Sequence, residues 1–242
     1  MMKREVKEVI NEAREKGIIK VITIGVDLES SQKNISYAEQ FNNVYTAIGF
    51  HPHESKKMKE KELILLEEMI AHPKNVAVGE IGLDYYYQHS SPEDQKSAFQ
   101  KQIDLAHKYD LPIIIHDRDA HEETVKILAE KACGKKVILH CYSGDVQIAK
   151  WCVEQGFYFG IGGVVTFKNA HKLLQAVQEI PLDQILLETD APFLTPHPFR
   201  GKPNEPKYIP IIAKKIAQLK GETIAKIAHI TTENAQQVFK LS

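Results

Sequence analysis

The sequence predicts an α/β fold of parallel strands, either an open doubly wound sheet or a TIM (β/α)8-type barrel missing its first strand. Three observations carry this expectation. Seven apolar, largely β-branched runs alternate with helical patterns, the mark of βα units whose sheet is covered on both faces. The length of 242 residues suits an α/β barrel folded as one unit. Several of the runs also end, on the C-terminal side, in imidazoles, carboxylates or arginine, and these ends converge on one face of a parallel barrel.

In chain order, Val6, Val9, Ile10 and Ala13 keep helical spacing before a stop at Gly17, which predicts an opening helix. Ile18–Val26 then reads as a buried strand. Ser30 and Ser31 are placed to cap a short helix carrying Ile35, Ala38 and Phe41. Val44–Phe50, Glu60–Ala71 and Val76–Leu83 continue as strand, helix and strand. Ser91-Pro92-Glu93-Asp94 is a helix start: a capping hydroxyl, proline in the first turn and acids near the positive dipole end. Ile113–Ile115, Val137–Leu139, Phe157–Ile161 and Ile185–Leu187 supply four more strands. The tail from Pro206 to Leu241 is helical with a break near Gly221. No linker or low-complexity stretch interrupts the pattern, so residues 1–242 read as a single domain. A barrel needs eight strands, and the one missing from this count is the first.

Composition narrows the function classes. With 31 Lys+Arg against 32 Asp+Glu the net charge is −1, which argues against bulk non-specific nucleic-acid binding while leaving room for a local basic site. Cys133, Cys141 and Cys152 form no CxxC pair and fit a reducing cytoplasm rather than a disulfide framework. No apolar run reaches membrane-span length, and the opening MMKREVKEVI has no secretory apolar core. A soluble cytoplasmic protein without membrane contact is the expectation; oligomeric state is left open.

The polar strand ends are GFHPHE (His51, His53), GEIGLDY (Glu80, Asp84), IIIHDRD (His116, Arg118), ILHCYSG (His140, Ser143) and LLETDAP (Glu188, Asp190). Any one of them is as well explained by a polar cap satisfied where a strand ends. Together they suit a divalent metal. Arg118, Arg200 and Lys202 add positive charge for an anion, and Ser143-Gly144 and Gly162-Gly163 add backbone N–H groups. His53 reads as a surface residue, because Pro52 bends the chain between it and His51. Tyr85-Tyr86-Tyr87 has the rings to stack bases but reads first as loop cover. Nucleophilic catalysis by Cys133, Cys141 or Cys152 is not the expectation.

The motifs GFHPH, GEIGLDYY, PIIIHDRDA, ILHCYSG, LLETDAPFLTP and PFRGKPNEP, in this order from about Lys3 to the C-terminus, resemble the TatD family of metal-dependent deoxyribonucleases, a branch of the amidohydrolase-like TIM-barrel hydrolases. The resemblance implies that Glu80 bridges two metals, that His116 and His140 complete the second metal's ligands, and that Asp190 binds the first metal and orients or deprotonates the attacking water. It implies hydrolysis of DNA phosphodiesters, from the 3′ end of single strands, with Mg, Mn or Zn. His51, Arg118, Arg200, Lys202 and Ser143 are then the substrate-binding candidates, His51 as a donor to phosphate.

The chain departs from the family pattern at one place. The family's first strand carries a His-x-His pair for the first metal, and here the sequence opens on a helical segment. GFHPH does not fill the gap, since it matches a separate motif at a later strand. Two metals as in the family, or one held by Glu80, His116 and His140, are both left open, three protein ligands being the usual number at a catalytic zinc. With one metal the catalytic geometry is expected to be weakened but not absent. Two rivals stay open: a small-molecule amidohydrolase on the same site, and a catalytically dead barrel that binds nucleic acid or a partner protein.

Overall fold

In the computed structural model, which describes residues 4–241, the expected alternation is present from end to end. The elements are α1 (Val6–Glu15), β1 (Val21–Ile24), α2 (Leu28–Gln40), β2 (Val44–Ile48), α3 (Glu60–Ile70), β3 (Asn75–Asp84), α4 (Pro92–Lys108), β4 (Ile113–Arg118), α5 (His121–Lys131), β5 (Val137–Leu139), α6 (Val146–Glu154), β6 (Tyr158–Ile161), α7 (His171–Glu179), β7 (Ile185–Leu187), α8 (Ile209–Lys220) and α9 (Ile224–Phe239). This is an α/β fold of TIM-barrel type with the seven strands read from the sequence, and no strand precedes α1 among the described residues. Residues 1–3, which begin the MMKREVKEVI segment, and residue 242 lie outside the described residues. No described helix is long and apolar enough to cross a membrane.

The chain divides into two compact units, one of residues 20–140 and one of residues 1–19 with 141–242. In the first, β1 to β5 run parallel and pair in sequence order. β3 is its axis: all ten of its residues are buried. The β3–β4 ladder runs past the apolar segment, setting Gly82 beside His116 and Asp84 beside Arg118. β4 therefore extends beyond the expected Ile115, and its last turn of ladder carries functional side chains. Gly82 makes this approach possible, because a Cβ there would stand 2.0 Å from the His116 carbonyl oxygen.

Two expectations need correction. β1 is half-buried throughout, not buried, because within its unit it has a ladder to β2 alone and a strand's burial depends on neighbours its own sequence does not encode. The helix expected to be capped by Ser30 or Ser31 starts earlier, at Leu28. Asp27 is its cap: the Asp27 carboxylate accepts the Ser30 N–H at 2.9 Å, and the Ser30 hydroxyl accepts the Asp27 N–H at 3.0 Å. The reciprocal box satisfies two orphan donors at once. The other starts agree with expectation, with Ser91 accepting the Asp94 N–H at 3.1 Å ahead of Pro92 and Gly221 in the left-handed conformation that closes α8.

Side-chain amides hold the strand ends past the last β2–β3 pair, Ile48 with Val78. Gln95 and Gln102 lie on one face of α4 and are fully buried. Gln95 accepts the Asp84 N–H at 2.8 Å and donates to the Asp84 and Ser90 carbonyls, both at 3.0 Å. Gln102 accepts the Phe50 N–H at 2.7 Å and donates to the Phe50 carbonyl at 3.1 Å. Each glutamine thus does for one residue what a neighbouring strand would do, and the residues held are those leading into His51 and the end of β3.

In the second unit β6 and β7 pair in parallel, and Asn234 of α9 donates to the Leu182 and Ile185 carbonyls, both at 2.8 Å. α1 is tied to the segment before α8 by charge: Lys207 reaches Glu12 at 2.8 Å and Glu205 at 2.5 Å, and Arg4 reaches Glu205 at 3.1 Å.

Replacing Gln95 by Leu keeps the bulk but orphans one N–H and two carbonyls in the core. It should destabilise the protein by about 2–4 kcal/mol, read as a lower urea midpoint at unchanged slope. A loss below about 1 kcal/mol would mean that water takes over these bonds.

Candidate active site

β3 delivers two buried carboxylates to the C-terminal end of its sheet, Glu80 and Asp84. A buried carboxylate must be paired or saturated with hydrogen bonds. Asp84 is saturated. Its Oδ1 accepts the backbone N–H groups of Tyr86 at 3.1 Å and Tyr87 at 2.9 Å. Its Oδ2 faces His53 Nε2 at 2.8 Å and His116 Nε2 at 3.0 Å. These four contacts match the capacity of an ionised carboxylate. Burial pushes the Asp84 acidity down, but the hydrogen bonds from His116, Tyr87 and His53 outweigh it and hold the group well below the usual carboxylate range.

That saturation fixes the tautomer of His116. With Nε2–H given to Asp84, the other ring nitrogen of a neutral His116 would carry a lone pair. Nδ1 stands 2.7 Å from Glu80 Oε1, and two lone pairs cannot face each other at that distance. A cation has to lie between them, either a proton on Nδ1 or a metal ion shared by both atoms. In the protonated form, burial lowers the pKa of His116, and the hydrogen bonds to Asp84 and Glu80 overcome it and raise it to about 9.

Glu80 collects further imidazoles. Its Oε1 lies 3.8 Å from His51 Nε2 and 3.9 Å from His140 Nε2. Burial works against its ionisation, and the charge of His140 with the hydrogen bond and charge of His116 hold it well below the usual carboxylate range. His51, Glu80 and His116 form the compact trio, with donor atoms all within 4.8 Å of one another. Sequence reasoning gives the third place to His140 and makes His51 a phosphate donor. The hydrogen bonding of His51 is consistent with that role, since its Nδ1 accepts the His53 N–H at 3.2 Å and the proton of the neutral ring is then on Nε2. Burial keeps the ring neutral by lowering its pKa to about 3.

The chemistry of the donor set fits a divalent metal. Glu80 and His116 face each other across a seat that requires a cation, His140 is within reach of the same oxygen, and Asp84 orients His116 from behind as a carboxylate–histidine–metal relay does.

The remaining candidates are distributed as follows. Arg118 is exposed at the end of β4, its guanidinium 4.2 Å from the Tyr86 ring centroid and 4.6 Å from that of Tyr87. Ser143, Asp190, Arg200 and Lys202 belong to the second unit. Arg200 packs 4.1 Å from the Phe167 ring centroid and donates to the Thr195 carbonyl at 3.1 Å. Lys202 lies 5.7 Å from the Phe199 ring centroid. In that unit Glu188 accepts the Cys141 N–H at 2.7 Å, and Gly160 makes room for it, since a Cβ there would meet its Oε2 at 2.2 Å. Sequence reasoning misses His53, placed at the surface, which instead bonds to buried Asp84; the signal was the His-x-His spacing itself.

Known proteins resemble the chain along almost its whole length. A family model described as TatD related DNase matches residues 1–240. The chain is 44% identical over 239 residues to a Bacillus subtilis protein named uncharacterized metal-dependent hydrolase YabD, covering 98% of this chain and 94% of that one. It is 34% identical over 243 residues to the Escherichia fergusonii protein named 3′-5′ ssDNA/RNA exonuclease TatD, covering 97% and 93%. The crystal structure of YJJV, a TatD homologue from Escherichia coli K12, superposes with a TM-score of 0.93 at 30% identity, covering 98% of this chain and 92% of that one.

The metal-free protein should be most stable near the ordinary histidine pKa of 6.5. Above it, unfolded chains release the His116 proton while the folded protein keeps it up to about 9, so stability falls as pH rises through that window. Below it, unfolded chains protonate His51 while the folded ring refuses a proton until about 3, so stability falls again. The depressed Glu80 and Asp84 steepen this acid limb below their ordinary values of 4.5 and 3.8. Urea midpoints in EDTA across this range test the shape, and His116→Asn should flatten the alkaline limb, on the order of 1–3 kcal/mol. An alkaline limb that survives the substitution would remove His116 as its cause.

Proposed function

The chain belongs to the TatD related DNase family of metal-dependent hydrolases, and we propose that it hydrolyses phosphodiester bonds at the 3′ end of single-stranded DNA. The observation that carries this reading is the cluster of His51, Glu80 and His116, with His140 near the same carboxylate oxygen and Asp84 behind His116, a donor set that suits a divalent metal. The relative named a 3′-5′ ssDNA/RNA exonuclease supports the choice of substrate.

Glu80, His116 and His140 would hold a divalent ion, Mg, Mn or Zn. Such an ion supplies Lewis-acid polarisation of a phosphoryl oxygen and a lowered pKa for water. The chain's own residues do the rest. Glu80 stays ionised despite its burial, so its charge is available to a cation at neutral pH. Asp84 keeps the His116 ring from rotating and its Nε2 protonated, so Nδ1 is the atom presented. His51, neutral and with its proton on Nε2, donates to a non-bridging phosphate oxygen and orients it. Arg118 offsets charge on the substrate backbone at the outer edge of the cluster.

The motifs of the second unit carry further proposals of the same reading. Asp190, from LETDAP, would help hold the first metal where two are present and would orient or deprotonate the attacking water. Ser143, Arg200 and Lys202 bind substrate. The Arg200 guanidinium is held by the Phe167 ring and the Thr195 carbonyl, so it acts as a pre-positioned donor rather than a roaming charge.

Incubation with 5′-labelled single-stranded DNA and Mg²⁺ or Mn²⁺ should give stepwise shortening that EDTA abolishes. His140→Ala should lose metal content and cleavage together, with metal affinity down about 10–100-fold or more, whereas Arg200→Ala should weaken substrate binding at unchanged metal content. Shortening that survives EDTA would overturn the metal assignment. Intact DNA alongside turnover of amides or lactones would replace the nuclease reading with the small-molecule one.

A further inference from the structure

A group of rings beside the imidazole cluster has no part in the chemistry above. After Asp84 the chain turns and carries Tyr86, Tyr87 and His89 outward. Tyr86 is 58% and Tyr87 50% exposed, so the tyrosine run does not serve as the loop cover that its sequence suggests. Large rings left in water forgo the stabilisation that burial gives.

The rings are nonetheless fixed. The Asp84 carboxylate holds the backbone N–H groups of both tyrosines. Arg118, opposite Asp84 in the ladder, lays its guanidinium over both, 4.2 Å and 4.6 Å from the centroids. Tyr87 stacks on His89 with planes 14° apart and centroids at 5.8 Å. His53 meets His89 edge-on at 4.6 Å and Tyr87 at 5.6 Å. A continuous row of π faces therefore runs from His53, bonded to Asp84, out to an exposed tyrosine beside a cation.

We propose that Tyr86, Tyr87 and Arg118 form a base-stacking subsite for a nucleotide of the single strand near the bond to be cut. This rests on the nucleic-acid reading above and deepens it. A nucleobase is the ligand whose chemistry fits: flat, polarisable and uncharged on its face, so it can lie on an exposed ring. Its phosphate is the anion that the in-plane N–H edge of a face-stacked guanidinium still binds. Bases in a duplex are already stacked on one another, so the subsite selects unpaired ends. Every base has a π face, so it selects among sequences weakly.

The test needs no turnover. Full-length protein in EDTA is titrated with a short 5′-labelled single-stranded oligonucleotide, and with the same strand carrying tetrahydrofuran abasic residues at its 3′ end. The phosphates are equal in both, so only the bases differ. The wild type should bind the intact strand about tenfold more tightly. The Tyr86→Leu/Tyr87→Leu variant should bind both strands alike, and the Tyr86→Phe/Tyr87→Phe variant should keep the preference, since phenyl keeps the stacking face. Equal binding of the two strands by wild type overturns the subsite and leaves the nucleic-acid reading standing. A preference that persists in a folded leucine variant overturns the assignment to these tyrosines. If the leucine variant does not fold, the wild-type and phenylalanine comparisons still decide. No binding of either strand by wild type, even at low salt, defeats the nucleic-acid reading, and the subsite with it.

Discussion

Two carboxylates buried at the end of one strand set the terms for everything around them. An ionised group taken out of water has to be met by hydrogen bonds or opposite charge, and Glu80 and Asp84 are both on β3, the strand whose ten residues are all buried. Asp84 is met by four N–H groups from His53, His116 and the tyrosine turn. Glu80 is met by imidazoles that follow three other strands: His51 after β2, His116 in β4 and His140 after β5. Neither solution is local. Each requires the neighbouring strands to stop at the right height, so the charge problem at one strand end constrains the register of the sheet that surrounds it.

That register is held by uncharged groups. Gln95 and Gln102 bind the backbone at Asp84 and Phe50, directly beside the residues that carry the chemistry. Buried amides making three bonds at Gln95 and two at Gln102 are rigid, because each bond lost would leave a polar group unmet. α4 thus contributes no side chain to the cluster and still decides where its residues stand. Gly82 has the complementary role, since the absence of a side chain there lets β4 come close enough to bring His116 level with Asp84.

The parts of this arrangement differ in how far the sequence discloses them. Strand runs and the residues that end them are local patterns, and Glu80, His116 and His140 stand out because an apolar run terminating in a ligand-type side chain is visible in a few letters. His53 is not visible in that way: its partner Asp84 is remote in sequence, and the proline before it argues for the surface. Burial of β1 depends on which strands flank it, and no property of Ile18–Val26 contains that number. Gln95 and Gln102 look like any polar residues of a helix, since the pattern that makes them special is the pair of strand ends they meet. At α2 the cap is the carboxylate of Asp27 at the N-terminal dipole end, upstream of the expected Ser30 and Ser31, and Ser30 takes the reciprocal bond.

Asp84 is also the joint between two chemically different zones. One of its oxygens faces imidazoles, the other holds the backbone of an exposed tyrosine pair, and the residue opposite it in the ladder is an arginine stacked on those rings. From the inside outward the character therefore changes from buried anions, through imidazoles, to aromatic faces and a positive charge. An anionic chain with flat uncharged side groups meets that gradient in the right order. In the proposed reading its backbone would be drawn to the outer cation, its bases would lie on ring faces, and a phosphate would reach the neutral His51 donor before the carboxylates. A small neutral amide would use only the innermost zone and leave the outer one without purpose. In the proposed reading, the exposed rings, held by the same carboxylate that orients His116, would give a polymer end contacts that a compact substrate would not use.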